Sequence, residues 1–240
     1  PLAWLQRLAD SAGERWARCG DVAALLEPDL KDGRGGLRDF DAIRWALSVG
    51  RAEVTAALDG PLDDLAGPAE LLLAARCELH RATGRSSNVL VLQEQDRVAA
   101  AMGYADADAL MLHLAGAAHT IEWATDRFWW RVGRLLRTGG RVPKSQQVVA
   151  LAVGVMLIDD EVQIAAGADV DEQSFVFRFA AAAAHAGKPM GGRALRMLAS
   201  RGTPPGEAWT DGTRRSFLSL LGAGDWLAQN ASWSRWRNVF

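Results

Sequence analysis

The run DALMLHLAGAAHTIEWATDRFWWRVGRLLR, from Asp108 to Arg137, decides the fold. Its apolar positions Leu110, Leu114, Ala117, Ile121, Ala124, Phe128, Val132 and Leu135 recur in steps of four and three, which places them on one face of an α-helix. At 1.5 Å per residue that helix is roughly 45 Å long, enough to brace a whole domain. Gly139-Gly140 and Pro143 end it.

Helical spacing continues on both sides. Toward the N-terminus, Phe40, Ile43 and Leu47 predict a helix that Asp39 is placed to cap and Gly50 breaks. A second predicted helix runs from Pro68 to about Arg81, with the stripe Leu71, Ala75, Leu79 and a stop at Gly84, and a short one covers about Gln93 to Met102. Beyond the long helix, Val153, Val155 and Leu157 alternate, then Val162 and Ile164 follow Asp159-Asp160, which predicts a β-hairpin. Helices are expected again over Ser174–Ala186, Gly192–Ser200 and Trp209–Leu221, with Pro204-Pro205 in a loop. The fold class is therefore mainly α: a helical bundle with a long central helix and one small β-hairpin.

Composition narrows the function classes. With 240 residues, 49% apolar and 23% charged, the chain is an ordinary globular protein able to bury a core. A net charge of −2 gives no global attraction for nucleic acid or anionic membrane, so any anion site is local. Cys19 and Cys77, too far apart for a C-x-x-C site, read as two thiols of a reducing cytoplasm rather than zinc ligands or a disulfide scaffold. No apolar run approaches the ~20 residues that span a bilayer. The first residue is Pro1, so a piece of something longer is expected. Ten tryptophans stand against one tyrosine, with Trp226, Trp233 and Trp236 crowded at the end.

Chemistry concentrates in Glu27-Pro28-Asp29-Leu30-Lys31-Asp32-Gly33-Arg34-Gly35-Gly36-Leu37-Arg38-Asp39. Gly33, Gly35 and Gly36 let a backbone turn sharply and approach a ligand, while Lys31, Arg34 and Arg38 bring charge to the start of the next helix. Two readings stand side by side: a phosphate-proximal loop, or a linker whose glycines only permit a tight turn. Downstream, Arg76, His80, Arg85 and Gln93 form a polar cluster, read either as a ligand or domain contact or as a network tying a helix to the loop after it.

These two segments resemble the bacterial protein-PII uridylyltransferases. The first is similar to that family's E-P-x-L-K-x-G-x-G-G-L-R-D run. The second, Glu78-Leu79-His80-Arg81-Ala82-Thr83-Gly84-Arg85 followed by Leu90, Leu92, Gln93, Val98-Ala99 and Gly103-Tyr104, resembles its L-H-x-x-x-G-R…L…Q…A…G-Y pattern. The resemblance covers about Leu26 to Arg134, is fainter to about Gly224, and fails beyond. It implies a parent that transfers a nucleotidyl group from UTP or ATP, with Mg²⁺, to the PII signalling protein in nitrogen regulation. It also implies hydrolytic removal of that group by a His-Asp phosphohydrolase domain, in the cytoplasm. Residues 1–38 would then be a linker from a nucleotidyltransferase domain, 39–145 a helical domain, 146–225 the hairpin plus helices, and 226–240 an atypical tail.

The motifs of those two chemistries are not found in the chain. Asp39/Asp41, Asp106/Asp108 and Asp169/Asp171 follow no Gly-Ser and each precedes a predicted helix, so capping explains them. None of His80, His113, His119 and His185 is followed by aspartate. No residue is assigned a catalytic or metal-binding role, and the isolated chain is expected to be inactive. A glutamine synthetase adenylyltransferase, with a similar G-x-G-G-[IL]-R-[DE] run, and a non-catalytic helical scaffold are the alternative expectations.

Overall fold

A computed structural model describes residues 2–139, 148–203 and 208–224. The chain divides into two compact units, Pro1–Val142 and Pro143–Phe240.

The first unit is built on one helix. Helices α1 (Leu2–Cys19), α2 (Leu37–Leu47), α3 (Ala52–Thr55), α4 (Ala66–Thr83) and α5 (Leu92–Ala101) precede α6 (Ala107–Arg137). Asp106 caps α6 by accepting the N–H of Ala109 at 2.8 Å, Arg134 and Arg137 complement the dipole in its last turn, and Gly139 follows at φ +61°. Of its predicted stripe, Ala124 is only half-buried; Thr125 lies inside instead, its hydroxyl bonded back to Ile121 O at 2.7 Å. The N-terminal half of α6 packs Leu110, Leu114 and Ile121 against Leu72 and Leu79 of α4 and Val98 of α5. Its C-terminal half packs Phe128, Val132 and Leu135 against Leu5 of α1, Ile43 of α2 and Val54 of α3. Phe40 touches both clusters.

Helix α1 occupies half of what the sequence suggested was linker. Its buried face holds Leu5, Ala12 and Arg15, so an arginine interrupts the apolar stripe that would have betrayed it. The single turn α3 was not expected, whereas α2, α4 and α5 fall within a few residues of expectation, with Gly84 at φ +64° closing α4.

The second unit carries a three-stranded antiparallel sheet where one hairpin was expected. Strands β1 (Val148–Ala152), β2 (Val155–Ile158) and β3 (Glu161–Ile164) lie in the order β1-β2-β3. Asp159 and Asp160 form the predicted turn, both with positive φ (51° and 65°), the hand that matches strand twist. The additional turn is at Val153-Gly154, where φ is +76° and a Cβ on Gly154 would lie 2.8 Å from the Phe175 ring. Val153 is thus a turn residue, and the strand before it becomes a third member of the sheet. Helices α7 (Phe175–Ala186), α8 (Gly192–Arg201) and α9 (Asp211–Leu221) follow. Thr210 caps α9, and Trp209 lies outside that helix against Phe177 and Phe217, at 5.3 and 5.0 Å between ring centroids. The expectations for Gly140, Pro143, Pro204-Pro205 and the Trp-rich tail lie outside the described residues.

Replacing Phe128 by Ala should lower the stability of the chain by about 3–5 kcal/mol, against about 1 kcal/mol for Asp106→Ala. Equal losses in denaturant titrations would mean that packing on α6 does not hold the unit. In the second unit, hydrogen bonds from Arg178 and then Ser174 hold the Glu172 carboxyl below its ordinary range. Folding therefore favours its ionised form. That contribution is full above the unfolded carboxylate pKa and is lost as pH falls through the lowered folded value. Because Glu172 is largely exposed, Glu172→Gln should flatten the acid limb of the stability–pH curve by under about 1 kcal/mol.

Candidate functional site

The Gly-rich segment is pinned from three sides. On one, Leu30 N donates to Asn88 O at 2.9 Å and Leu90 N donates to Pro28 O at 3.0 Å. On the second, Arg34 N donates to Gly20 O (2.8 Å) and Val22 N to Arg34 O (3.0 Å). The third is α6. A Cβ on Gly35, which sits at φ +79°, would lie 2.5 Å from Ala118 O. The glycine is required because two backbones meet there, with no room for a side chain or a ligand.

Every backbone N–H from Lys31 to Asp39 already has an acceptor. Asp29 Oδ1 takes those of Lys31 (3.0 Å) and Asp32 (2.7 Å), and Asp29 O takes that of Gly33 (3.0 Å). Asp39 Oδ2 takes that of Gly35 at 2.8 Å. Gly36, Leu37, Arg38 and Asp39 donate to the carbonyls of Gly33, Leu30, Lys31 and Gly36. The free N–H groups that the sequence suggested at this helix start are therefore not available to a phosphate. Only side chains remain for one.

Those side chains divide sharply. Asp39 is fully buried and is not a cap. It accepts Arg15 Nη2 at 2.7 Å and Trp16 Nε1 at 3.0 Å, in addition to Gly35 N. Burial pushes its carboxyl up, against the opposing pull of Arg15, Gly35 N–H and Trp16 N–H. Arg34 reaches Asp126 at 2.6 Å, Glu122 at 3.4 Å and Asp21 at 3.9 Å, and lies over the Trp16 ring. Burial works against its charge, but Asp126 and Glu122 outweigh it and hold the guanidinium above its ordinary value. Burial likewise pushes the Asp21 carboxyl up, with Arg34 opposing. Arg38 is shared between Asp32, at 3.5 Å, and the Trp45 ring. Lys31 has no carboxylate in ion-pair range among the described residues; it lines a pocket of about 290 Å³ between α2 and α4, with Arg44, Arg76, Asp41 and Glu70.

The polar cluster is only partly assembled. Arg76 Nε donates to Asn88 Oδ1 at 2.7 Å, and His80 Nε2 is 2.8 Å from Ser87 O. Arg85 is exposed and Gln93 points outward. The contact expected of Gln93 belongs to Gln95, whose buried amide donates to Leu26 O (2.7 Å) and Leu90 O (3.2 Å). Helix α5 starts at Leu92, so position 95, not 93, turns toward the loop. Arg15, Trp16, Asn88, Glu122 and Asp126 were missed for a common reason: each is distant in sequence from what it holds.

Among the described residues, no group of three or more His, Cys, Asp or Glu is arranged to hold a metal ion. Asp21, Glu122 and Asp126 are bridged by Arg34. No helix among the described residues is long and apolar enough to cross a membrane.

The family described as GlnD PII-uridylyltransferase matches residues 4–129, just over half of the chain. The chain belongs to that family. It is 39% identical over 234 residues to the bifunctional uridylyltransferase/uridylyl-removing enzyme of Streptomyces coelicolor, covering 92% of this chain and 27% of that one. Enzymes of the same description from Mycobacterium tuberculosis (34% identity, 90% and 28% covered) and Corynebacterium glutamicum (32% identity, 89% and 30% covered) are also similar. The chain thus spans under a third of the length of these relatives. No solved structure matches it. The matched region coincides with the part built on α6, loop 27–39 included.

Three stability outcomes follow from this packing. Removing the carboxylate in Asp39→Ala leaves the buried Arg15 without its counter-charge, and should cost about 3–5 kcal/mol. Gly35→Ala should also destabilise by more than about 1 kcal/mol, while Lys31→Ala stays within about 0.5 kcal/mol. Urea denaturation of the three variants checks this. An unchanged Asp39→Ala protein would sink the network.

Proposed function

We propose that this chain is the helical module of an enzyme that attaches uridylyl groups to the PII signalling protein and removes them, and that the module alone performs neither step. Support comes from its similarity to bifunctional uridylyltransferase/uridylyl-removing enzymes and from the small share of their length that it spans. In this proposal a nucleotidyltransferase domain precedes the module and a His-Asp phosphohydrolase domain follows it, all in the cytoplasm. The described residues fit Mg²⁺ poorly, because no three of their His, Cys, Asp or Glu side chains are grouped to hold a metal and Glu122 and Asp126 are committed to Arg34. Mg²⁺ would therefore be held by the adjoining domains, which would share UTP (or ATP) with this module, the metal supplying charge stabilisation during transfer of the nucleotidyl group.

The observation that carries this proposal is the division of roles within residues 27–39. Gly35, Arg34 and Asp39 lock the segment onto α1 and α6, and Gly33 and Gly36 fold it closely on its own backbone, making it a rigid joint rather than a pliable linker. Lys31 and Arg38 remain on its outer side as the candidates that face nucleotide.

In a full-length enzyme carrying this segment, Lys31→Ala or Arg38→Ala should weaken nucleotide binding by about 10- to 150-fold without lowering the melting temperature. Arg34→Ala should do the reverse, losing stability first. Unchanged nucleotide affinity and rate in both Lys31→Ala and Arg38→Ala would leave the segment as a joint only. The isolated chain should show no Mg²⁺- or Mn²⁺-dependent uridylyl transfer or removal. Turnover that a Gly35→Ala variant loses would overturn that part.

A further inference from the structure

We propose that the pocket between α2 and α4 is a phosphate site, in which Lys31 and Arg76 hold a phosphate group. The pocket measures about 290 Å³, room for one or two phosphate groups but little for a base and sugar as well. Two of its cations, Lys31 and Arg76, are tethered without being neutralised. Lys31 is fixed at its backbone, where its N–H meets Asp29 Oδ1 (3.0 Å) and its carbonyl meets Arg38 N (2.9 Å), while its ammonium has no carboxylate within ion-pair range among the described residues. Arg76 is anchored through Nε to the neutral amide of Asn88 (2.7 Å), which leaves its charge uncompensated and its two terminal nitrogens for a ligand. Asn88 is itself held by the pairing of its carbonyl with Leu30 N, so loop and arginine are positioned by one backbone contact. Of the two carboxylates at the rim, Asp41 is engaged by Arg44 at 3.4 Å and Glu70 is exposed with no ion pair among the described residues. Two uncompensated cations sharing a small pocket repel one another, and an anion between them removes that cost.

The source of the phosphate rests on the proposed nucleotide chemistry: either a nucleoside triphosphate or the pyrophosphate released from it. The site itself does not. Calorimetric titration of the full chain with pyrophosphate, UTP and ATP tests it directly. Saturable pyrophosphate binding is expected, weakened about tenfold or more by Lys31→Ala, strengthened a few-fold by Glu70→Gln, and unaltered by Arg85→Ala outside the pocket. The opposite signs of the first two variants separate a binding role from a change in folding, since neither side chain has a partner to lose. Tighter binding of UTP or ATP than pyrophosphate identifies the nucleotide as the ligand; equal or weaker binding identifies the leaving group. Absence of pyrophosphate binding at about 1 mM, insensitivity to Lys31→Ala, or equal binding of sulfate would overturn the proposal. A full-length enzyme that transfers uridylyl groups while the chain binds no phosphate would sink this site alone. Phosphate binding by the chain with no uridylyl transfer by the parent would sink the proposed function and leave the site.

Discussion

Between Gly35 and Ala118 two stretches of main chain come so close that a single methyl group would collide with a carbonyl. That approach sets the depth at which the glycine segment sits on α6, and the buried charges follow from it. Arg34 falls within reach of Glu122 and Asp126, about one and two turns further along the helix, and Asp39 turns inward to Arg15 and Trp16. Each of these ions is expensive to bury alone and acceptable only in the presence of its partners. The result is a joint with few alternatives: a shift of one residue in the segment would leave buried charge unpaired at several places at once. Such networks fix geometry more reliably than they add stability.

What the sequence made legible was whatever repeats locally. The four-and-three stripe of α6 located the main helix to within one residue, and Gly84 marked the end of α4 through its left-handed backbone. What it hid was whatever depends on distance. Helix α1 escaped because a buried arginine occupies its inner face, a residue that reads as solvent-facing until its carboxylate partner, found 24 residues later, is known. The glycines were legible as a place of close approach, but the thing approached proved to be another helix of the same unit. Gln93 and Gln95 differ by two positions, and only the register of α5 decides which one turns inward. In the second unit, Val153 continued an alternation that Gly154 breaks, and the strand before it went unread.

The two halves of loop 27–39 thus serve different ends. Its inner residues make a fixed seat, and Lys31 on its outer side, with Arg76 and Arg44, lines a small pocket. A rigid base beneath a charged rim is what a site for a transferred or released phosphate needs, because positioning contributes as much as charge. Family membership accounts for the segment as a whole, while the division within it becomes visible only once its backbone donors are traced one by one.

Arg34 and Asp126 are 92 residues apart, and the same helix also closes on Asp59, 68 residues before Arg127. During synthesis the glycine segment leaves the ribosome well before its seat exists. At bacterial or eukaryotic elongation rates of about 5–20 residues per second, Arg34 waits roughly 5–20 s for the carboxylates that neutralise it. Over that interval α1, α2 and α4 are chain without a keel, their apolar faces open to any surface that will cover them. The unit is completed from its C-terminal end backward, when α6 emerges and both clusters close along it together. A chain interrupted just before α6 would therefore present most of its core with nothing to fold around, a state suited to chaperone capture or degradation rather than to partial function.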